Sequence, residues 1–485
     1  MLAPLLRLPL VNLASLLEVA AERDPTYAET LQRVRAFAGA LRARGVRPGD
    51  RVAIQAHNSA AFFEAYFAVA WSGAVLCPLG TRLAEPEIDA ILADAEPVLV
   101  LRSEDELEAL RQATPSNQPA HACEPGASAQ LYYTSGTTGK PKGVVLTHAN
   151  VNAHARAATS ALELRPTDVW GHVAPMYHLA DAWAIFAMTL AGGRHVYCSA
   201  FDPAEALDTF EREGVTVTNL VPTMLQRILA HPGIADFDAG QLRLVMSGGA
   251  PIAPEVIRSL INAFGCDYVQ TYGLTETSPF LTLGLLTPQE RALDLAQRLP
   301  LLAKTGRPFP SVELDVVRED GTSVRTDDQE VGEIRARGAT VSPGYWRRPE
   351  ETAAVFRDTW FYTGDLAVRD DAGFVSIVDR RKDMILSGGE NVYSTEVENV
   401  LFECAGVLEA AVFGVPDPEW GEAVTAAIVA RAGVQLDSAA VLAHVRTRLA
   451  GYKCPKQIVV VDDLPKTGSG KIQKAVLRER FGSQR

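Results

Sequence analysis

Over much of residues 1–379, helical apolar patterns alternate with short apolar runs. Leu31, Val34, Phe37, Ala38 and Leu41 fall at helical spacing between Thr30 and Arg44. The turn sequence GVRPGD then leads into RVAIQA, a strand-like run. FFEAYFAVAWSGA reads as a buried helix and VLCPL as the strand after it, and similar units recur at Val215–Leu229 and Leu242–Ser247. Strands alternating with helices predict an α/β fold of parallel sheets covered by helices.

The rhythm changes after Pro308. VELDVV, GEIRAR and GFVSIVD are short alternating strands separated by DG, GD and DDAG turns, which predict an antiparallel, barrel-like section. From Asp383 a strand (MIL), a helix over Ser394–Glu403, two strands (LEAAVFGV and AVTAAIVA), a helix over Ser438–Leu449 and a Lys-rich tail predict a small separate α+β domain. The expected organisation is a large domain over 1–379, a hinge at 380–382 and a small domain over 383–485, since 485 residues exceed what one core usually serves.

Composition narrows the partners. With 47% hydrophobic and 22% charged residues the balance is ordinary and globular. A net charge of −13 disfavours nucleic acid, which needs a basic face, yet a local site in an acidic protein can still hold a small anion. Cys77, Cys123, Cys198, Cys266, Cys404 and Cys454 form no CxxC pair and have no histidine at zinc-ligand spacing, so scattered reduced thiols are expected. Arg7, Asn12 and Glu18 interrupt the apolar N-terminus, which predicts a surface helix, no membrane insertion and a cytoplasmic protein. The oligomeric state is not readable, and a homodimer stays open.

The densest chemistry lies at Tyr132–Gly143, YYTSGTTGKPKG. Thr134, Ser135, Thr137 and Thr138 offer hydroxyl donors, Gly136, Gly139 and Gly143 admit close backbone approach, and Lys140 and Lys142 bring charge. Pro141 follows Gly139-Lys140 where a Walker loop needs a Ser or Thr, so this is a different phosphate loop.

That string resembles the signature loop of the adenylate-forming superfamily, which holds acyl-CoA synthetases, coumarate-CoA ligases, beetle luciferases and peptide-synthetase adenylation domains. The resemblance continues in order through YGLTE (272–276), YTGDL (362–366), DRRKD (379–383), SGGEN (387–391) and PKTGSGK (465–471). It implies a carboxylic acid activated by ATP as an acyl-adenylate, with Mg2+, and then passed to a thiol, most simply that of coenzyme A. A carboxylate attacking a phosphate needs no protein nucleophile, because both groups are already ionised; it needs positive charge, magnesium and oriented donors.

The resemblance also assigns roles. Glu276 is the expected magnesium ligand, joined by Thr138; Thr275 would reach a phosphate. Tyr272 and Gly273 would adjoin adenine, with Gly248, Gly249 and Ala250 forming part of the adenine and acyl wall. Asp365 would accept from the ribose hydroxyls, aided by Arg380. Lys471 would contact the carboxylate and phosphate during adenylation, and His178 would gate the acyl pocket. Lys382 occupies the hinge position about which the small domain would rotate for thiol transfer. Gly388, Gly389 and Glu390 would then line a pantetheine channel, with Trp420, Tyr452 and Lys453 near the nucleotide of CoA. Some relatives carry an arginine where this chain has Cys454, and a small N-terminal hairpin usual in the family is missing before ERDPTYAETL.

Candidates for the acyl pocket are His178, Trp183, Phe186, Val221, Met224, Gly248, Thr277, Ser278 and Pro279, mostly apolar and with no arginine to pair a second carboxylate. An apolar monocarboxylate, a short- or medium-chain fatty acid or an aryl acid, is therefore expected over malonate. The competing reading is a standalone enzyme that loads a carrier protein; a luciferase-like oxygenase and a non-catalytic binder are weaker, the binder because Glu276, Asp365 and Lys471 are all present.

Overall fold

The structure is a computed structural model that describes residues 12–135, 141–250, 252–431, 433–466 and 472–482. They fall into two compact units, one of residues 1–249, 255–314 and 336–361 and another of 250–254, 315–335 and 362–485.

The first unit holds two helix-covered sheets. In the first sheet, β1 (Arg51–Gln55), β2 (Val75–Leu79), β3 (Leu99–Leu101) and β4 (Ser128–Ser135) run parallel. β5 (Pro141–Thr147) then turns back antiparallel against β4. The second sheet joins β6 (Val169–His172), β7 (Arg194–Tyr197), β8 (Val217–Asn219), β9 (Leu244–Gly248) and β10 (Asp267–Gly273) in parallel, and β11 (Phe280–Leu283) and β12 (Arg307–Pro308) close it antiparallel. Its strand order is β12-β11-β10-β9-β8-β6-β7. β2 and β9 are buried at every position, which explains why they read as unbroken apolar runs rather than as alternation.

The expected helix over Thr30–Arg44 begins earlier, at Pro25, and ends at Ala43. Asp24 caps its first turn by accepting from the Thr26 amide, and Pro25 takes the first helical position, where a missing N–H costs nothing. Ala60–Trp71 is buried at eleven positions, all but Ala60. The N-terminal helix, Ala14–Ala21, departs from expectation: it is no surface helix, for Leu13, Leu16 and Leu17 are sunk in the main core. Three apolar side chains within two turns face one way, and burying them outweighs leaving the helix on the surface.

The third sheet has β13 (Val312–Val317), β14 (Gly332–Gly338), β16 (Phe356–Arg357), β17 (Trp360–Arg369) and β18 (Val375–Arg380), in the order β13-β14-β17-β16 with β18 beside β17. The short β15 (Gly344–Tyr345) joins the edge of the first sheet, antiparallel to β5. In the second unit, β19 (Ile385–Ser387), β20 (Glu390–Val392), β21 (Val407–Asp417), β22 (Gly421–Ala430) and β23 (Gln457–Val460) form one sheet with helices at Ser394–Phe402, Ser438–Arg446 and Lys474–Gly482. The first two helices and the long β21–β22 hairpin match the small α+β segment read from the chain, both helices ending within three residues of expectation, whereas the third helix lies in what was read only as a Lys-rich tail.

No disulfide joins the six cysteines, and five of them are buried. Burial pushes the Cys77 and Cys266 thiols up to about 12. No helix among the described residues is long and apolar enough to cross a membrane.

Candidate active site

In an open parallel sheet, ligands settle beyond the carboxyl ends of the strands. In the second sheet the candidate residues fall there. β6 ends at His172 and leads to His178, a half-buried residue just before the helix Leu179–Ala191. That connection is held from behind: the Asn58 amide donates to the carbonyls of His172 (3.0 Å) and Ala174 (2.9 Å), and its oxygen accepts from the Met176 amide (2.7 Å). The His178 ring lies against Tyr177, centroids 4.8 Å apart. β8 leads to Val221 and then Met224 in the helix Pro222–Leu229.

β9 ends at Gly248, where an added Cβ would sit 2.2 Å from the Thr271 hydroxyl and 2.7 Å from the Thr271 carbonyl oxygen. β10 ends at Gly273, where a Cβ would lie 1.7 Å from the Pro279 carbonyl oxygen. Only glycine lets these strand ends close so tightly. Thr275, Glu276 and Thr277 then make one 3-10 turn. The Thr277 hydroxyl accepts from the Leu274 amide (3.0 Å), and Ser278 donates to the Thr340 carbonyl (2.7 Å), so the turn carrying Glu276 is fastened at both ends.

Across the first sheet the β4–β5 hairpin sets Thr134 opposite Lys142 and Ser135 opposite Pro141. Gly136, Thr137, Thr138, Gly139 and Lys140 lie outside the described residues. Lys142 is ion-paired with Glu351, and its ammonium sits 5.5 Å from the centre of the Tyr345 ring. The Tyr345 hydroxyl donates to Glu276 Oε1 at 2.8 Å. Burial first, and the Glu276 charge second, push that hydroxyl far above its ordinary value, so it stays protonated and donates. Lys142, Tyr345 and Glu276 thus form one continuous contact, although 203 positions separate Lys142 from Tyr345 in the chain (345 − 142). Tyr345 and Glu351 were not among the residues read from the sequence.

No group of three or more His, Cys, Asp or Glu side chains among the described residues is disposed to hold a metal ion. A Mg2+ that arrives with ATP needs only one or two protein carboxylates besides phosphate oxygens and water. Glu276, 9% exposed and held in orientation by a hydroxyl, suits that demand.

In the second unit, Asp365 and Arg380 face each other in the β17–β18 register, with Arg380 Nε 3.4 Å from Asp365 Oδ1. Lys382 is exposed in a turn closed by the Asp383 and Met384 amides, which both donate to the Arg380 carbonyl. Gly388 (φ +61°) and Gly389 (φ +83°) are left-handed, and Glu390 opens β20 opposite Ser387. The Gly388 amide donates to the Trp420 carbonyl (2.8 Å), and a Cβ at Gly388 would touch the Trp420 ring at 3.0 Å. Lys453 is held by Glu396 at 2.7 Å and stands beside the Tyr452 ring. Lys456, absent from the sequence-based candidates, lies 4.2 Å from the centre of the Trp420 ring. Its spacing from Lys453 in YKCPK was the available signal.

Lys471 lies outside the described residues, but both flanks of its segment are fixed. Lys466 pairs with Glu409 (2.8 Å) and Asp463 (3.1 Å), and Lys474 pairs with Glu398 (2.7 Å). Lys466 also bridges to Ile472 in an antiparallel contact.

Of the acyl-pocket candidates, Val221, Met224, Gly248, Thr277, Ser278 and Pro279 lie at or just beyond the carboxyl ends of β8, β9 and β10, Met224 on the helix after β8. Trp183 and Phe186 are fully buried on the helix after His178. Trp183 packs on Trp170 (5.0 Å), Phe280 (4.9 Å) and His154 (5.6 Å). Phe186 packs on Tyr66 and Phe67 instead, as ordinary core. His154 was not anticipated: a lone histidine on a helix face carries no motif.

Burial lowers His154 to about 3 and His148 to about 4 from an ordinary 6.5. Below pH 6.5 the unfolded chain takes up protons that these rings refuse, so stability is full above 6.5 and falls as pH drops towards 4. Each ring sets a slope of up to ~1.4 kcal/mol per pH unit. Denaturant midpoints measured from pH 7.5 to 4.5 should decline accordingly, and His154→Leu should flatten the decline; an unchanged slope would disprove the assignment.

These strand-end loops, with a phosphate-type hairpin beside them, define a nucleotide-dependent α/β enzyme. The sequence model of the AMP-binding enzyme matches residues 14–346, and that of the AMP-binding enzyme C-terminal domain matches residues 396–471. The chain belongs to the AMP-binding enzyme family. It is 40% identical over 473 residues to a feruloyl-CoA synthase of Amycolatopsis sp, covering 94% of each chain. It is 34% identical to a long-chain-fatty-acid–CoA ligase of Mycobacterium tuberculosis, covering 97% of this chain and 96% of that one. ATP-bound MatB from Rhodopseudomonas palustris shares the fold with a TM-score of 0.85 at 33% identity, over 94% of this chain and 93% of that chain. Within the family the chain is an AMP-forming acyl-CoA synthetase, an acid–thiol ligase that consumes ATP and coenzyme A.

Proposed function

We propose that the acid is an apolar monocarboxylate, a short- or medium-chain fatty acid or an aryl acid. The observation that supports this reading is that His178, Val221, Met224, Gly248 and Glu276 all stand at or follow the carboxyl ends of four adjacent parallel strands, β6, β8, β9 and β10. The acyl-side members are apolar or small apart from His178, and relatives are named for an aryl acid, ferulate, and for long-chain fatty acids, each a monocarboxylate.

In the first half-reaction a carboxylate oxygen attacks the α-phosphorus of ATP, and the bond to the pyrophosphate oxygen breaks. Lys142, Lys471 and the hydroxyls and amides of Thr134–Gly139 stabilise the charge that develops. Mg2+, held by Glu276 and joined by Thr138, would neutralise phosphate oxygens. Thr275 donates to a phosphate, Tyr272 and Gly273 with Gly249 and Ala250 cradle adenine, and Asp365 with Arg380 holds the ribose. In the second half-reaction the thiol sulfur attacks the acyl carbon, AMP leaves with the electron pair of the anhydride bond, and the thiol proton passes to solvent. The small domain, 383–485, turns at 380–382 about Lys382 so that Gly388, Gly389 and Glu390 line the pantetheine path. Trp420, Tyr452 and Lys453, with Lys456, meet the CoA nucleotide. The protein works in the cytoplasm.

The test is incubation with ATP, Mg2+, CoA and a panel of fatty, aryl and dicarboxylic acids, with products weighed by mass spectrometry. Apolar monocarboxylates should give thioester, AMP and pyrophosphate. Preferred turnover of a dicarboxylate would defeat the substrate reading, and adenylate that accumulates without thioester would favour a carrier protein as acceptor.

A further inference from the structure

Tyr345 sits in a segment stitched to both halves of the phosphate site. Gly344 and Tyr345 pair with Val145 and Val144 of the hairpin, and the Trp346 amide donates to the Gly143 carbonyl at 2.7 Å. Ser342 donates from its amide to the Glu276 carbonyl (2.8 Å) and from its hydroxyl to the Val145 carbonyl (2.6 Å). The Tyr345 amide is tied to the Thr352 hydroxyl at 3.0 Å. Gly344, at φ +138°, could carry no Cβ, which would fall 2.4 Å from Thr352 Cγ2. A tyrosine so fixed in backbone has little freedom left, and its ring and hydroxyl reach Lys142 and Glu276 respectively.

We infer that Tyr345 is a positioning residue for metal-bound ATP: its hydroxyl sets the orientation of the Glu276 carboxylate while its ring confines the Lys142 ammonium. A carboxylate with one oxygen engaged by a fixed donor presents the other in a single direction, so less side-chain freedom is lost when the metal arrives. The ring face attracts the ammonium without neutralising it, leaving its charge available to phosphate. Glu351 holds that ammonium until the nucleotide takes its place. The inference rests on the proposed roles of Glu276 and Lys142.

Tyr345→Phe removes only the hydroxyl. Binding of Mn2+ with a non-hydrolysable ATP analogue, read by electron paramagnetic resonance, should weaken about tenfold, the effect of one hydrogen bond to a charged group. KM for ATP should rise by a similar factor while KM for the acid stays unchanged. Glu276→Gln should weaken Mn2+ binding more, and the double variant should be no worse than Glu276→Gln alone, because Tyr345 acts through that carboxylate. All measurements are made below the melting points of the variants, so a less stable protein still gives an answer. Wild-type Mn2+ binding in Tyr345→Phe, or additive losses in the double variant, would overturn the inference while leaving Glu276 as ligand. Wild-type binding in Glu276→Gln would instead remove the assignment of Glu276 and the inference with it.

Discussion

Lys471→Ala should lower acyl-adenylate formation by about 10²–10³-fold, the usual cost of losing one preorganised group that faces developing charge. The reacting carboxylate and triphosphate repel each other, and an ammonium at their junction would answer both. The flanks of its segment are prepared for this: Lys466 and Lys474 are each spent on buried or half-buried carboxylates, so they brace the segment rather than compete for the nucleotide. Pyrophosphate release measures the first half-reaction. Thioester formation from pre-made acyl-adenylate measures the second and should be nearly spared. Equal losses in both would contradict this division of labour.

Gly389→Trp should have the opposite profile, retaining pyrophosphate release while thioester formation falls by orders of magnitude. At φ +83° any side chain carries a backbone penalty of roughly 1–2 kcal/mol, so a loss in the tryptophan variant is ambiguous alone. Gly389→Ala carries the same penalty with almost no bulk, and nothing lies within 4 Å of a Cβ built there. The alanine variant should therefore keep most of its thioester activity. If both variants lose it alike, strain and not a blocked channel is the cause.

The sequence was most legible where chemistry is packed into a few consecutive residues. Glu276 and Asp365 stand inside short strings, and the turns that hold them, a 3-10 turn and a β17–β18 pairing, are local. Fully buried strands such as β9 were legible because both faces are covered. What escaped is long-range. Tyr345 meets Glu276 only because a two-residue strand joins the sheet edge beside β5, about two hundred positions earlier in the chain. The same holds for a buried chain in which Asp181 meets His172 at 2.5 Å and His172 meets His195 at 2.9 Å. No spacing rule links residues on a strand, a helix and the next strand. The N-terminal helix was misplaced because three interrupting polar residues say nothing about which face is buried.

The cysteines take on another meaning in an enzyme that makes a mixed anhydride. An acyl-adenylate acylates any accessible thiolate, the intended acceptor being only one of them. Thiolate is the attacking species, and burial keeps Cys77, Cys198, Cys266, Cys404 and Cys454 protonated as well as out of reach, all of them shifted upward by desolvation. Cys123, half-buried, is shifted the same way. The fold therefore protects its own sulfur from the product of its first step, and a leaked intermediate meets water or the incoming thiol before it meets the protein's.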